Sequence, residues 1–314
     1  MAKKLFIHIG AHKTGTTAIQ QTCANQARAL RDLGVLYPKV NWYHYAQHRL
    51  AFALKRSPDP ARGDIPDLPV ELDALNSAIA RARTDKILIS SEEFFSAPEP
   101  QIRLFAKGLQ GATPRIVAFV RRPDAFLMSM YNQKAKHPGN QFCRPITPFI
   151  ATPDQIDPDI RVHTCLSAWA TVFGTEAISL CLYEDGPPLA RVLQIMGLPG
   201  EAIAPAQRVN PSVPGAVIEA MRLSKLIGMD PDKQKKLYHL AQKEFTKAPP
   251  YHVSSRDRRA VLQAMAPETG ALFAAFGREN PYEATTCPVP EDPPEAAPNL
   301  RMRDLMQLVD RLMA

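Results

Sequence analysis

Seven residues into the chain, the stretch HIGAHKTGTTAIQ (His8 to Gln20) follows the short apolar run Leu5-Phe6-Ile7. A strand, a glycine turn and a helix start make an anion site, because free backbone N–H groups converge there and the helix dipole favours negative charge. Gly10 and Gly15 let the backbone close round an anion. Thr16 and Thr17 add hydroxyl donors at the helix start, and Lys13 lies inside the turn, placed to touch the same group. A nucleoside-triphosphate loop reads GxxxxGK[ST], with the lysine after the second glycine and the hydroxyl on magnesium. Here Thr16 holds the position of that lysine. No apolar strand ends in an aspartate suited to holding magnesium, so triphosphate hydrolysis and kinase chemistry are disfavoured.

Two further stretches carry side chains able to move a proton. SSEEFF (Ser90 to Phe95) closes a predicted strand and places Glu92 and Glu93 at its C-terminal end, the edge where open parallel sheets bind ligands. The adjacent Phe94 and Phe95 are expected to raise a carboxylate's pKa and so make it a better base. NWYHYAQHRLAF (Asn41 to Phe52) puts His44 and His48 four apart on one face of a predicted helix. That spacing suits zinc, but no third ligand or adjoining glutamate motif accompanies it. From these residues alone His48 is read as a packed, hydrogen-bonded histidine. Trp42 either stacks on a sugar or adenine ring or packs.

The arrangement GAHKTGTT resembles the 5′-phosphosulfate loop of the sulfotransferases that use 3′-phosphoadenosine 5′-phosphosulfate. The resemblance implies that His12, Lys13, Thr14, Gly15, Thr16 and Thr17 bind this donor, with 3′-phosphoadenosine 5′-phosphate as product and no metal. FVRRPDAFLMSMY (Phe119 to Tyr131) matches the family's pairing of an arginine at a strand end with a helical serine, here Arg121 and Ser129. The pair implies a grip on the 3′-phosphate: a guanidinium forks onto phosphate, and a serine adds a neutral donor. YED (Tyr183 to Asp185) is similar to a tripeptide beside the nucleotide in cytosolic members, although a strand-end tyrosine also packs. RVNPS (Arg208 to Ser212) is similar to the region before the C-terminal helices of bacterial members. Arg208 is then a second phosphate grip, with helix capping by Asn210 or Ser212 as the alternative. The family's glycine-rich Arg-Lys-Gly loop is missing. Its base, a histidine or glutamate, comes from the region where Glu92 matches best, with Glu93 and His48 as the other candidates. Glu93 alternatively binds substrate or caps the following turn, and a similar histidine-bearing helix in bacterial members implies a substrate-side role for His48.

These residues need a scaffold. Short β-rich runs (Leu5–Gly10, Lys86–Ser90, Arg115–Val120, Ile178–Tyr183) alternate with helical patterns (Thr16–Leu33, Leu72–Arg83, Pro123–Lys136, Ile160–Phe173). The alternation predicts an α/β fold, a parallel sheet with helices on both faces, and the resemblance makes it akin to the P-loop nucleotide kinases. Beyond about residue 187 the pattern is helical: Leu189–Met196, Gly215–Ile227, Asp232–Phe245 and Arg256–Phe276. Residues 1–280 are read as one sulfotransferase-like domain and 281–314 as a proline-rich connector with a terminal amphipathic helix. Its stripe of Leu305, Leu308, Val309 and Leu312 docks either on its own domain or on a second copy as a homodimer. Ser57–Pro69 and His137–Pro158 are predicted as long surface excursions.

Of the 314 residues, 45% are hydrophobic and 22% charged, ordinary for a globular chain and far from a disordered one. The net charge of +7 is compatible with an anionic ligand and equally with none in particular. No apolar run is long enough for a membrane span, and the start is too short in apolar residues for a secretion signal, so a cytoplasmic location is expected. The five scattered cysteines show no CxxC pair and are expected to be reduced packing residues. Transfer of a sulfuryl group to a hydroxyl on a small molecule or glycan is the function favoured, with no nucleic-acid partner. An ATP-dependent small-molecule kinase and a non-catalytic nucleotide-binding protein are the alternatives.

Overall fold

The computed structural model describes residues 3–205, 213–292 and 299–301, with Asp304, Leu308 and Arg311. Arg208, Asn210 and Ser212 lie outside the described residues, as do Leu305, Val309 and Leu312 of the terminal stripe. In chain order the elements are β1 (Lys3–His8), α1 (Thr16–Asn25), α2 (Ala27–Asp32), β2 (Val35–Leu36), α3 (His48–Lys55), α4 (Leu68–Arg81), β3 (Lys86–Ser90), α5 (Glu99–Gly108), β4 (Ala112–Val120) and α6 (Pro123–Lys136). There follow α7 (Thr147–Ala151), α8 (Val162–Phe173), β5 (Ile178–Leu182), α9 (Pro188–Ile195), α10 (Gly215–Leu226), α11 (Pro231–Glu244), α12 (Ser255–Ala264) and α13 (Ala266–Ala275).

The strands form one all-parallel sheet in the order β2-β3-β1-β4-β5. This is the predicted α/β architecture. Parallel strands are covered on both faces, so their residues are apolar in unbroken runs. Leu5, Phe6 and Ile7 in β1 and Ile116 to Val120 in β4 are all buried accordingly. One core cluster joins Phe6, Leu88, Val117 and Phe119 of the sheet to Ile19 and Cys23 of α1 and to Leu189, Val192 and Leu193 of α9. Burying a side chain of this size stabilises by roughly 1.5–3 kcal/mol, so this cluster fixes α1 and the turn before it to the sheet.

The chain divides into two compact units. The first comprises Met1–Arg122, Pro158–Val209 and Pro267–Asn280, and holds the sheet. The second comprises Pro123–Asp157, Asn210–Ala266 and Pro281–Ala314. Its core includes Val217, Ala220 and Met221 of α10, Leu237 and Ala241 of α11, and Leu308 of the terminal segment, which is fully buried. Within it the buried Asp124 accepts from Arg258 at 2.9 Å.

Several element boundaries differ from those predicted. The helix over 16–33 breaks at Gln26, whose side chain donates to the Ala204 carbonyl. The one over 256–276 breaks at Met265. The predicted helix over 41–52 begins only at His48. Asn41 and His44 adopt positive φ (57° and 54°) in a tight turn that no helix admits, so His44 and His48 do not share a helical face. Short helical segments interrupt the excursion over 137–158. The strand expected to include Tyr183 ends at Leu182. Among the described residues no helix is long and apolar enough to cross a membrane, and the five cysteines form no disulfide.

Candidate active site at the exits of β1 and β3

After β1 the chain stays tied to the sheet, with the Ile9 and Ala11 amides donating to the Val117 and Phe119 carbonyls at 2.9 Å. It then turns sharply: Lys13 adopts φ 66° and Gly15 φ 81°. Left-handed backbone at a residue other than glycine costs about 1–3 kcal/mol and gathers at functional sites. The turn has room for nothing but glycine at its ends. A Cβ on Gly10 would lie 2.6 Å from Thr14 Oγ1 and 3.0 Å from His8 Nε2. One on Gly15 would lie 3.0 Å from Pro188 Cγ, in a conformation side chains avoid. Gly15 caps α1 without a side chain, and the Ala18 amide donates to the Gly15 carbonyl at 3.1 Å, so Thr16 and Thr17 bring the helix-start amides that could meet an anion. Thr14 is buried and its hydroxyl is committed to the Ala11 carbonyl at 2.6 Å, which closes the turn on itself. Thr16 is buried and Thr17 exposed.

At the exit of β3, Ser91 caps a short turn over Glu92–Phe94 by accepting from the Glu93 amide. The two glutamates diverge. Glu93 pairs with Lys55 at 2.7 Å and lies 3.8 Å from His12 Nε2, which is equally far from the buried Asp159. Glu92 accepts from Gln20 Nε2 of α1 at 2.6 Å and lies 4.0 Å from His48 Nε2. His48 Nδ1 is 2.7 Å from Ser91 Oγ. Burial pushes the Glu92 carboxyl up, but His48, the Gln20 amide and His12 outweigh it and hold the group below its ordinary value. The expected upward shift is therefore corrected. Phe94 and Phe95 are fully buried, Phe94 against Trp169, so they pack the interior and leave the carboxylate among polar groups. Burial lowers the His48 pKa although Glu92 and Glu93 oppose it, leaving a neutral imidazole near pH 7.

Arg121 donates to the Lys13 carbonyl at 2.9 Å, and its guanidinium lies 4.7 Å from the centre of the Tyr183 ring. It therefore braces the turn as well as lying beside it. Tyr183 borders Gly15, and the following Glu184 accepts the Arg122 amide. Ser129, half-buried on α6, belongs to the second unit. Trp42 packs, with its ring near Tyr37 and Nε1–H on the Pro38 carbonyl.

Three polar residues here were not read from the sequence: Gln20, Ser91 and His8. Each has its partner far along the chain, and no local pattern signals such a pairing. His8 is fully buried with Nδ1 2.7 Å from Ser90 Oγ, and burial, opposed by Glu92, lowers its pKa to about 4, so it stays neutral.

The site thus joins a glycine turn at a helix start, a geometry able to hold an anion, to a carboxylate and an imidazole, groups able to accept or donate single protons. No protein-family model matches the sequence, and no curated protein matches it significantly. Among solved structures, the chain is similar to a sulfotransferase from Alicyclobacillus acidocaldarius, with 14% identity over 89% of this chain and 98% of that one and a TM-score of 0.49.

Proposed function

We propose that this protein is a sulfotransferase that moves a sulfuryl group from 3′-phosphoadenosine 5′-phosphosulfate to a hydroxyl of a carbohydrate or glycolipid. One observation carries the reading. Gln20, on the helix that the anion-binding turn launches, donates directly to Glu92, which ties a cradle for a phosphate-like group to a proton acceptor. The glycine turn, whose ends a Cβ would fill, and the uncapped start of α1 fit the 5′ end of such a donor.

The donor supplies an activated sulfuryl group on a phosphate that departs as an anion. The residues of this chain do the rest. Amides of His12 to Thr17 and the Lys13 ammonium hold the 5′ end and neutralise the charge that grows on the departing phosphate. Arg121 takes the 3′-phosphate while steadying the turn, with Tyr183 beside the nucleotide. The parts of Ser129 and Arg208 rest on the sequence resemblance alone. Glu92, ionised, receives the acceptor's proton. As the acceptor oxygen bonds to sulfur, its O–H bond breaks towards the carboxylate, and the electron pair of the sulfur–phosphate link leaves with the phosphate. The hydroxyl becomes acidic as its oxygen bonds sulfur, so a carboxylate of low pKa suffices.

Calorimetry tests the reading. 3′-Phosphoadenosine 5′-phosphate should bind without metal, with ADP weaker by about 1.5–3 kcal/mol, the range for hydrogen bonds to a charged group. Tighter binding of ATP with magnesium would overturn it in favour of phosphoryl transfer.

A further inference from the structure

Ser91 is fully buried, and its hydroxyl has two polar neighbours. The Glu93 N–H donates to it at 3.1 Å, and His48 Nδ1 lies 2.7 Å away. A hydroxyl carries one proton to give. Among the described residues Nδ1 is the acceptor within its reach. If Nδ1 instead carried the imidazole proton, Ser91 Oγ would face two donors and its own proton would be buried without a partner, which folding disfavours.

We infer that Ser91 is a positioning residue that fixes His48 as the Nε2–H tautomer, so that His48 and Glu92 together hold the acceptor hydroxyl. His48 Nε2 and Glu92 Oε2 stand 4.0 Å apart, too far to bond each other. An oxygen at ordinary hydrogen-bond distance of about 2.8 Å fits from both. That oxygen accepts from His48 and donates to Glu92, and the two bonds leave a lone pair to attack sulfur. His48 is then a donor that orients the nucleophile, and Glu92 alone receives the proton. The neighbouring Ser90 faces His8 Nδ1 at the same 2.7 Å, so two consecutive serines each hold one imidazole near Glu92. His8, fully buried, is not placed to reach an acceptor.

The role of the acceptor hydroxyl rests on the proposed sulfuryl transfer, whereas the tautomer does not. Nitrogen-15 spectra of the imidazoles, recorded on the full chain without ligand, read it directly. The wild-type protein should show His48 protonated at Nε2 and bare at Nδ1. Ser91→Ala should mix the tautomers and lower kcat about tenfold, the rate equivalent of one ordinary hydrogen bond, with donor KM unchanged. Ser91→Thr keeps the hydroxyl and should restore both. Protonation at Nδ1 in the wild type, or an unchanged tautomer in Ser91→Ala, overturns the inference. If Ser91→Ala does not fold, the wild-type and Ser91→Thr spectra still decide. Clear Nε2–H spectra in a protein that transfers no sulfuryl group would uphold the tautomer and remove the reaction.

Discussion

Two consecutive residues open α3 towards two different polar clusters. Arg49 reaches the carboxylates of Asp59, Asp64 and Glu71, while Asn41 donates to Glu71 at 2.7 Å. His48 reaches Ser91 and stops 4.0 Å short of Glu92. The Arg49 cluster is closed: Asp59, 1% exposed, also accepts the Ala61 amide, so its charge is met on both sides. It fastens Asp59 and Asp64 to α3. In the His48 cluster, proton-bearing groups are held by serine and glutamine, and imidazole and carboxylate stand 4.0 Å apart, so that one oxygen beside the line joining them can bond both. Around Arg49 the charged groups meet one another within the chain. Around His48 the imidazole and the carboxylate do not meet directly.

That contrast breaks if Glu92 behaves like Asp59. Glu92→Gln keeps the shape and should leave binding of 3′-phosphoadenosine 5′-phosphate and thermal stability nearly unchanged, while turnover falls roughly 10²–10⁴-fold, the usual share of a general base. Steady-state kinetics beside calorimetry measures both. Because His48, Gln20 and His12 outweigh burial and hold the wild-type carboxyl below its ordinary range, Glu92 stays ionised well into acid. Its protonation should therefore limit turnover only below the ordinary glutamate range. A limb centred near pH 6 would assign the essential proton to another group.

The closed cluster should show the opposite pattern. Arg49→Met leaves Asp59 and Glu71 buried without their cation, and breaking such a pair costs about 3–5 kcal/mol. Thermal melts should fall sharply. At a temperature where the variant remains folded, turnover should stay within a few-fold of wild type. A large loss of turnover in folded protein would show that the two faces of α3 are coupled and that the contrast is false.

The two halves of the site were not equally legible. The turn was readable because glycine spacing acts locally: Gly10 and Gly15 sit where a Cβ would strike Thr14 or Pro188, and the constraint appears in thirteen consecutive residues. Glu92 could be placed because a strand end marks itself by its apolar run. Its partners could not, since Gln20 is 72 residues away and His48 meets Ser91 across 43. The pKa expectation failed for a related reason. Adjacency put Phe94 and Phe95 beside the carboxylate, but the short turn directs both rings into the core. His44 misled because helical spacing persists through Asn41 to Phe52, although Asn41 and His44 bend the backbone to positive φ. α5 was not among the predicted elements. Its Pro100 sits in the first turn, where a missing N–H does no harm.

The smallest effect belongs to Glu93, and it sharpens the comparison within one dipeptide. Glu93 combines features of both clusters: it has a direct cation in Lys55, and it lies near the glycine turn through His12. Its ion pair is partly solvated, with 22% of the Glu93 side chain and 25% of the Lys55 side chain exposed. Such a pair is worth about 0.2–1 kcal/mol, because water screens it and two long side chains must be ordered. If direct pairing marks a structural group, Glu93→Gln should lower stability by no more than that and change turnover less than about tenfold, well short of the share of a general base. The amide can still accept from Lys55, so the turn after Ser91 should keep its form. Parallel kinetics on Glu92→Gln and Glu93→Gln settle the ranking. Should Glu93→Gln be the more damaging of the two, the proton acceptor is the carboxylate that already has a cation, and completeness of pairing no longer separates structural groups from working ones.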